Sequence, residues 1–496
     1  MQAGLEVPVS RNSGGTRLPW NLAPLAGDAH SRDNAPAAAL IETGSMYKAA
    51  SVLTLMLAGV LAGCGGMTQN QPPAPPPNNN PPPPPGSLND VNHIVLMLQE
   101  NRGFDEYFGQ LNNYRTAQGL SPDVNVTPAN AQQIGRDNVT ILTPFHMNSM
   151  CVEDLSPYWN ESHNARNHTD PTSALAAMDG FAHAAGGNSL NSGGVDINGH
   201  RVMGYYDDTD LPYYYFMATQ FAISDAWFSP ALTNTPANRM YVMAGTSHGV
   251  VNKPLTQINI PTIFDELQAA GITWKNYVPD YPNGSSLKTF PTYAKYLGTN
   301  IVPMSDYFTD LQNGTLPQVA FIDRDSKNGL DEHPGGVQIQ KGAAYVKKIV
   351  DALMNSSAWQ DSIFFLSFDE GGGFYDHVPP AATVSPDGIP PVLGTNDTCT
   401  LTTGPACDFV YTGFRLPNIV ISPFSKAHYV DHTTIDTTAI LRLIEIRFNV
   451  KPLTARDAAQ PDISQLFFDF TNKPNLTPPA PPSQPTNGPC YINSLP

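Results

Sequence analysis

The chain is poor in charge, and poorer still in positive charge. Only 14% of its 496 residues are charged, and Lys+Arg number 26 against 43 Asp+Glu, which leaves a formal net charge of -17. A surface of this sign repels the phosphates of nucleic acids and the anionic headgroups of membranes. The sequence therefore predicts no nucleic-acid partner.

Cysteine is also scarce. The chain has 5 cysteines, and no pair has the CxxC spacing of a structural zinc site. Apart from Cys64, the cysteines are even in number, as expected in an oxidising compartment. Cys399 and Cys407 flank the short loop TLTTGPA and are predicted to pair, which leaves Cys151 to pair with Cys490.

Long apolar runs are missing as well. The most apolar stretch lies in residues 46–64, MYKAASVLTLMLAGVLAGC, and is too short and too rich in small residues for a good membrane span. It is typical of a signal peptide, and its end resembles the bacterial lipobox, in which the cysteine is acylated. We therefore expect Cys64 to carry a lipid anchor and the protein to be an extracytoplasmic lipoprotein. Because a signal normally starts a chain, residues 1–45 are predicted to be a non-native extension.

Proline, in contrast, is abundant, with 48 residues. The segment PPAPPPNNNPPPPP within residues 65–88 favours extended polyproline conformation and cannot form a core. We expect a stiff linker at 65–88, one large domain at 89–473 and a Pro-rich tail at 474–496. The proline tract also argues against the alternative that the preceding apolar segment is a buried helix.

Short apolar runs alternate with helical patterns along the predicted domain. The runs are HIVLML near 95, QFAISDAWF near 223, QVAFID near 320, SIFFLSFD near 365 and LPNIVIS near 419. Helices are predicted at 261–271, 341–356 and 437–448 from their apolar periodicity and end signals. This alternation predicts an α/β fold with a mostly parallel, helix-covered sheet.

Two of the predicted strands end directly in polar side chains. HIVLML is followed by QENRGFDEYFG, residues 99–109, and SIFFLSF is followed by DEGGGFYDHVPP, residues 369–380. Carboxylates at one edge of a sheet repel each other unless a cation lies among them, and oxygen ligands favour hard divalent ions. The alternative for either acidic pair is a solvated loop or a helix cap.

A third segment, SPALTNTPANRMYVMAGTSHG at 229–249, offers hydroxyl nucleophiles. Ser229, Thr233 and Thr235 are all chemically eligible, but a hydroxyl is a weak nucleophile without a neighbouring metal or base. The alternative is that these residues are turn and N-cap residues of the following helix.

The three segments together resemble a known family. QENRGFDEYFG, TPANRMY and FDEGGGFYDHVPP are similar, in this order, to motifs of the bacterial phosphoesterase family that contains phospholipases C and acid phosphatases. Further similar segments lie at 178–181, 204–228, 413–426 and 431–448, so the resemblance extends from 90 to about 460. It implies an alkaline-phosphatase-like α/β/α sandwich.

The resemblance also implies the site. It makes Thr235 the nucleophile, three residues before Asn238, although the family's proline before this Asn is displaced here to Pro236. The implied ligands of one divalent cation are Glu100, Asn101, Asp369 and Glu370. The implied catalytic histidines are His146, His248 and His333. The implied phosphate-binding or substrate-binding residues are Arg102, His163 and His377. A lone histidine is also common as a structural residue.

The resemblance implies a metal-dependent phosphoric ester hydrolase that forms a phosphothreonine. We expect a phospholipase C acting on phospholipid headgroups. The alternatives are an acid phosphatase acting on small monoesters and, more distantly, a surface lipoprotein that only binds a ligand. A run of aromatic residues either boxes a choline ammonium or packs in the core. These residues are Tyr205, Tyr206, Tyr213, Tyr214, Tyr215 and Trp159.

Overall fold

The computed structural model describes residues 86–495. The predicted extension at 1–45, the signal segment with Cys64 and the linker up to residue 85 lie outside the described residues, so these remain predictions. Within 86–495, no helix combines the length and the hydropathy needed to cross a membrane.

The described residues form short strands and helices in alternation. The strands are β1 (His93–Gln99), β2 (Gln133–Ile134), β3 (Ile141–Leu142), β4 (Phe145–His146), β5 (Gly204–Tyr205), β6 (Ile223–Ser224), β7 (Trp227–Phe228), β8 (Trp274–Val278), β9 (Ile301–Pro303), β10 (Val319–Ile322), β11 (Ser362–Phe368), β12 (Asn418–Ile421), β13 (Val430–Asp431) and β14 (Ile435–Asp436). The helices are α1 (Phe104–Phe108), α2 (Leu111–Ala117), α3 (Trp159–Arg166), α4 (Phe181–Ser192), α5 (Pro212–Gln220), α6 (Thr235–Ala244), α7 (Ile263–Ala269), α8 (Thr292–Tyr296), α9 (Ser305–Asn313), α10 (Ile339–Met354), α11 (Ala439–Phe448), α12 (Ala455–Ala458) and α13 (Ser464–Phe467).

The largest sheet has six strands in the order β12-β11-β1-β10-β8-β9. Its neighbouring strands run parallel except β12, which pairs antiparallel with β11. All seven residues of β11 are buried, as expected for a strand covered on both faces. The α/β class and the mostly parallel sheet are therefore confirmed.

Helices cover both faces of this sheet. On one face, Phe321 of β10 packs against Phe264 of α7, with ring centroids 6.3 Å apart. On the other face, Tyr277 of β8 packs edge to face on Tyr307 of α9 at 5.3 Å. Successive residues of a strand face opposite sides of the sheet, and Tyr277 is the register partner of Ile322, the residue after Phe321, so the two contacts place helix layers on opposite sides. The predicted α/β/α layering is present.

Two details of the predicted fold need correction. The run near 223 does not form a full strand of the central sheet: it meets the edge strand β12 through a bridge between Ala222 and Val420, and its two-residue strands β6 and β7 pair with β13 and β14. The helix predicted at 261–271 begins at Ile263, because the Thr262 side chain accepts from the backbone N–H of Asp265 and forms a capping box.

The tail is fastened to the domain by a disulfide. Cys151 and Cys490 are bonded across a sequence separation of 339, and Cys399 is bonded to Cys407 across 8. Both predicted pairings are therefore present. Disulfides are typical of proteins outside the reducing cytosol, which supports an extracytoplasmic location.

Candidate active site

Three adjacent strands deliver polar side chains to one edge of the sheet. Gln99 and Phe368 are register partners in the parallel pair β1 and β11, so Glu100 and Asp369 follow at the same level. The backbone N–H of Asn101 donates to Asp369 Oδ1 at 3.0 Å. This is the edge at which open α/β sheets bind ligands.

The glycine-rich turn after β11 lets these strand ends approach closely. Gly372 has φ +67°, and a Cβ at this position would lie 2.0 Å from the carbonyl oxygen of Asn101. Only glycine combines the left-handed backbone with this contact. Asn101 is itself left-handed, with φ 56°.

Thr235 is the hydroxyl that reaches this edge. It is the first residue of α6, and its Oγ lies 3.1 Å from Glu100 Oε2 and 3.0 Å from Asn101 Oδ1. The hydroxyl of Thr233 is buried and donates instead to the carbonyl oxygen of Val251. The structure thus brings together Thr235 and the predicted strand-end residues and leaves Thr233 in a structural contact.

Two arginines that the sequence analysis did not assign also lie here. Arg239 follows Thr235 by one helical turn; its Nη2 lies 2.7 Å from Glu100 Oε1 and its Nε 3.0 Å from Asp369 Oδ2. Arg324 follows β10 and forms an ion pair with Glu100. The spacing of Arg239 from Thr235 was a usable signal, since residues four apart share a helix face.

The carboxylates at this edge are in unequal electrostatic environments. Burial opposes ionisation of Glu100, but the charges of Arg324 and Arg239 outweigh it and lower its pKa to about 2. Burial, together with the charge of Glu100, raises the pKa of Asp369 to about 7. Burial and the charge of Asp369 raise the pKa of Glu370 well above its usual range.

These groups fit a hard cation. Their donors are carboxylate, amide and hydroxyl oxygens, the set that hard divalent ions prefer. Among the described residues, Glu370 Oε1 is a buried oxygen without a hydrogen-bond partner, and such an atom normally has one. We call this group the Thr235 centre; its residues are Thr235, Glu100, Asn101, Asp369, Glu370, Arg239 and Arg324.

A cavity of about 560 Å³ opens beside the Thr235 centre. Thr235, Arg239 and Arg324 form its inner wall, and residues of the segments 253–257 and 283–289 form its outer wall. A volume of this size suits a small organic ligand. The nucleophile candidate is therefore accessible from a pocket large enough for a phosphate ester.

Of the predicted histidines, His333 lies at the centre. Its Nε2 is 3.3 Å from Asn101 Nδ2, and its Nδ1 contacts the carbonyl oxygen of Pro334. His146 Nε2 lies 2.7 Å from Asp210 Oδ2, and His248 Nδ1 lies 3.8 Å from Asp387 Oδ2. Within 86–495, neither of these two forms a hydrogen bond or ion pair with the Thr235 centre, so their catalytic roles remain predictions.

Two predicted substrate-binding residues make internal contacts in this structure. His163 is fully buried, and its ring nitrogens lie 2.7 Å and 2.8 Å from the carbonyl oxygens of Trp159 and Ala406. Arg102 is also fully buried and pairs with Glu106 at 2.7 Å. Within 86–495, neither side chain forms a hydrogen bond or ion pair with the Thr235 centre, so their substrate-binding roles remain predictions.

Five of the six aromatic residues pack in the core, which contradicts the choline-box alternative, whereas Tyr205 is half-buried and packs beside His146. Tyr206, Tyr213, Tyr214 and Tyr215 are at most 1% exposed. The hydroxyl of Tyr214 donates to Glu332 Oε1 at 2.5 Å. Trp159 packs against the His163 ring, at 4.0 Å between centroids. These rings support the domain from within.

Another buried acidic group lies next to the same two motif segments. Arg415 Nη2 donates to Asp105 Oδ1 and to Asp376 Oδ1, each at 2.8 Å. His377 Nδ1 lies 2.7 Å from Asp105 Oδ2. We call these four residues the Arg415 cluster. Its Asp and His side chains are close enough to hold a metal, as are those of His146, Asp207 and Asp210.

The comparisons with known proteins identify the family of this chain. Residues 91–451 match the family described as the Phosphoesterase family. The chain belongs to this family. Phospholipase C B of Mycobacterium tuberculosis is 30% identical over 461 residues, which cover 83% of this chain and 82% of that protein. This phosphoesterase is therefore a hydrolase of the phospholipase C family.

More distant similarities cover smaller shares. The non-hemolytic phospholipase C of Pseudomonas aeruginosa is 30% identical over 79% of this phosphoesterase and 59% of its own length. A solved structure from Vibrio parahaemolyticus, described as a protein in the alkaline phosphatase superfamily, has a TM-score of 0.32 and 13% identity over 53% of this chain and 66% of its own. A score this low carries no argument, so the fold assignment depends on the sheet topology.

Proposed function

We propose that this phosphoesterase is a metal-dependent phospholipase C that cleaves phosphoric esters through a phosphorylated Thr235. The supporting observation is the position of the Thr235 hydroxyl, which lies within 3.1 Å of Glu100 Oε2 and at the wall of the cavity. The phospholipid substrate is proposed from the phospholipase C relatives.

In the proposed reaction, the Thr235 oxygen attacks phosphorus and the ester alcohol leaves, with diacylglycerol as the alcohol of a phospholipid. Hydrogen bonding to Glu100 or Asn101 orients the Thr235 hydroxyl before attack. Water then hydrolyses the phosphothreonine and restores the hydroxyl. Phosphoryl transfer chiefly needs such positioning together with stabilisation of charge on the phosphoryl oxygens.

Arg239 and Arg324 are suited to stabilise the charge on the phosphoryl oxygens. Arg239 and Arg324 line the cavity beside Thr235, and the Arg324 side chain is 33% exposed. A guanidinium presents planar N–H donors that match phosphoryl oxygens. We assign to both the stabilisation of the equatorial oxygens of the transferred group.

Glu100, Asn101, Asp369 and Glu370 would hold the cation. When bound, a divalent ion supplies Lewis-acid stabilisation and lowers the pKa of a nearby hydroxyl. The buried, unpartnered Glu370 Oε1 supports this assignment from the protein side. The proposal includes lipidation of Cys64, which would hold the domain beside a membrane through the proline-rich linker.

Substitution of Thr235 tests the proposal. Thr235→Val keeps the shape of the side chain but removes the hydroxyl, and we expect turnover of a short-chain phosphatidylcholine, a short-chain phosphatidylinositol and p-nitrophenyl phosphate to fall at least about 10³-fold. Steady-state rates with and without chelator provide the measurement. If the wild type hydrolysed p-nitrophenyl phosphate but neither phospholipid, the acid phosphatase alternative would be favoured.

Thr233→Val is the matched control. It removes a structural hydrogen bond and is expected to cost about 1 kcal/mol of stability while most turnover remains. An inactive Thr233 variant beside an active Thr235 variant would show that the nucleophile has been misassigned.

A further inference from the structure

The two walls of the cavity beside Thr235 differ in how their charges are balanced. On the inner wall, Arg239 and Arg324 are paired with Glu100, and Arg239 also with Asp369. The basic residues of the outer wall are Lys253 and Lys288. The inner wall can therefore be close to neutral before a ligand binds.

Neither Lys253 nor Lys288 pairs with an acidic side chain of the described residues. Within the described part of the chain, Lys253 forms no side-chain hydrogen bond or ion pair, and Lys288 Nζ donates only to the neutral Asn283 Oδ1, at 3.2 Å. The single carboxylate on the described lining is Asp280, whose Oδ2 already accepts from the backbone N–H of Lys327 at 3.0 Å. The outer wall thus has an excess of positive charge in a chain whose net charge is -17.

The rest of the lining combines the apolar residues Pro236, Pro254 and Leu255 with polar side chains. Thr256, Gln257, Ser285 and Thr289 contribute hydroxyl and amide groups, and no aromatic side chain is among the lining residues described. A quaternary ammonium is normally bound by aromatic faces. A choline headgroup would find no such faces here and would meet two ammonium groups of its own sign.

We propose that this outer wall binds a second anionic group on the substrate, so that the enzyme prefers phosphate esters whose headgroup carries a further phosphate over esters of choline. Lys253 and Lys288 are the specificity-determining residues, and the neighbouring hydroxyl and amide groups bind headgroup hydroxyls. This inference rests on the proposed function, because it places the ester to be cleaved at Thr235.

The test uses three short-chain phospholipids with identical acyl chains, namely phosphatidylinositol 4-phosphate, phosphatidylinositol and phosphatidylcholine. We compare kcat/KM in the wild type, in Lys253→Gln/Lys288→Gln and in Lys451→Gln. Lys451 is an exposed lysine outside the cavity lining and serves as the matched control. The readout is the ratio of kcat/KM for phosphatidylinositol 4-phosphate to that for phosphatidylinositol.

We expect the wild type to prefer the phosphorylated inositol lipid and to cleave phosphatidylcholine least. Loss of two charge-assisted contacts should reduce the ratio about 10- to 100-fold in the double variant, whereas Lys451→Gln should keep it. An unchanged ratio in the double variant, or a wild-type preference for phosphatidylcholine, would overturn the inference and leave the proposed function intact. Failure to cleave any of the three lipids, with p-nitrophenyl phosphate still turned over, would overturn both the phospholipase assignment and the inference built on it.

Discussion

The Arg415 cluster and the Thr235 centre are both buried groups of acids and arginine, but of the two, within residues 86–495, the Thr235 centre alone contributes to the lining of the 560 Å³ cavity. In the Arg415 cluster, the guanidinium is fully buried and also donates from Nη1 to the carbonyl oxygens of Asn125 and Asp225, at 2.9 Å and 3.0 Å. Nε donates to both oxygens of Asp376. Every nitrogen of Arg415 is therefore used within the protein.

The Thr235 centre is less completely paired. Within residues 86–495, Glu370 Oε1 is buried without a hydrogen-bond partner, Arg324 is partly exposed, and a cavity lies directly alongside. The comparison teaches that buried acids next to arginine do not by themselves mark a functional site. An unmatched polar atom beside an accessible space separates a site for chemistry from an ion cluster that holds segments together.

Removal of the Arg415 guanidinium should cause the largest loss of stability among the changes considered. Arg415→Met leaves Asp105 and Asp376 buried without their partner, and breaking a buried ion pair in this way costs about 3–5 kcal/mol. Urea unfolding should show this loss, whereas the control Arg442→Met should change stability by less than about 1 kcal/mol, because Arg442 is partly exposed and lies 3.6 Å from Glu445. Equal stability of the two variants would contradict a structural role for the Arg415 cluster.

Removal of the cation by a chelator should lower the stability of the wild type less than Arg415→Met does. This effect should depend on the Thr235 centre and not on the Arg415 cluster. Removing a cation leaves Glu100, Asp369 and Glu370 facing one another, so we expect the Tm of the wild type to fall by about 2–5 °C. The double variant Glu100→Gln/Asp369→Asn should show a smaller shift, measured by thermal unfolding with and without chelator. A full shift in this variant would place the cation elsewhere.

Glu445 is a buried acid outside both the Arg415 cluster and the Thr235 centre, and it shows what burial does to the pKa of a carboxyl group. Among the described residues, neither side-chain oxygen of Glu445 has a hydrogen-bond partner, and burial, with a contribution from Asp457, raises its pKa to about 9 from 4.5. The folded protein then holds a proton that the unfolded chain releases, so stability is fully present below pH 4.5 and is lost as pH rises toward 9.

Glu445→Gln should therefore remove part of this pH dependence. We expect the Tm of the variant to exceed that of the wild type by more at pH 8 than at pH 5. The effect should be smaller than that of Arg415→Met or of chelation. Thermal unfolding at the two pH values is the measurement. The same Tm difference at both would mean that Glu445 does not titrate in this window.

The sequence predicted the site residues that local patterns or family motifs identify, and it missed those whose position depends on the order of the strands in the sheet. Glu100, Asn101 and Asp369 were found because they follow apolar strands directly, and Thr235 because its motif resembles the family's. Arg324 was missed because its proximity to Glu100 depends on β10 lying beside β1, an order that local patterns do not contain.

The fold shows the same limit. The long apolar strands β1 and β11 were predicted, whereas the inner strand β8, which contains Lys275 and Asn276, and the short edge strand β9, which ends in Pro303, were not. The internal contacts of Arg102 and His163 were not predicted, because a motif places a residue in the chain without fixing the direction of its side chain. Their burial depends on the assembled layers.

The central claim is that the cation belongs to the Thr235 centre and not to the Arg415 cluster. Metal content per chain, measured by mass spectrometry on the purified wild type, Glu370→Gln and His377→Gln, tests it directly. We predict about one divalent ion per chain in the wild type and in His377→Gln. In Glu370→Gln, the affinity for the divalent ion should be reduced at least about tenfold, so that this variant holds less metal. Metal retained in Glu370→Gln and lost in His377→Gln would contradict the account.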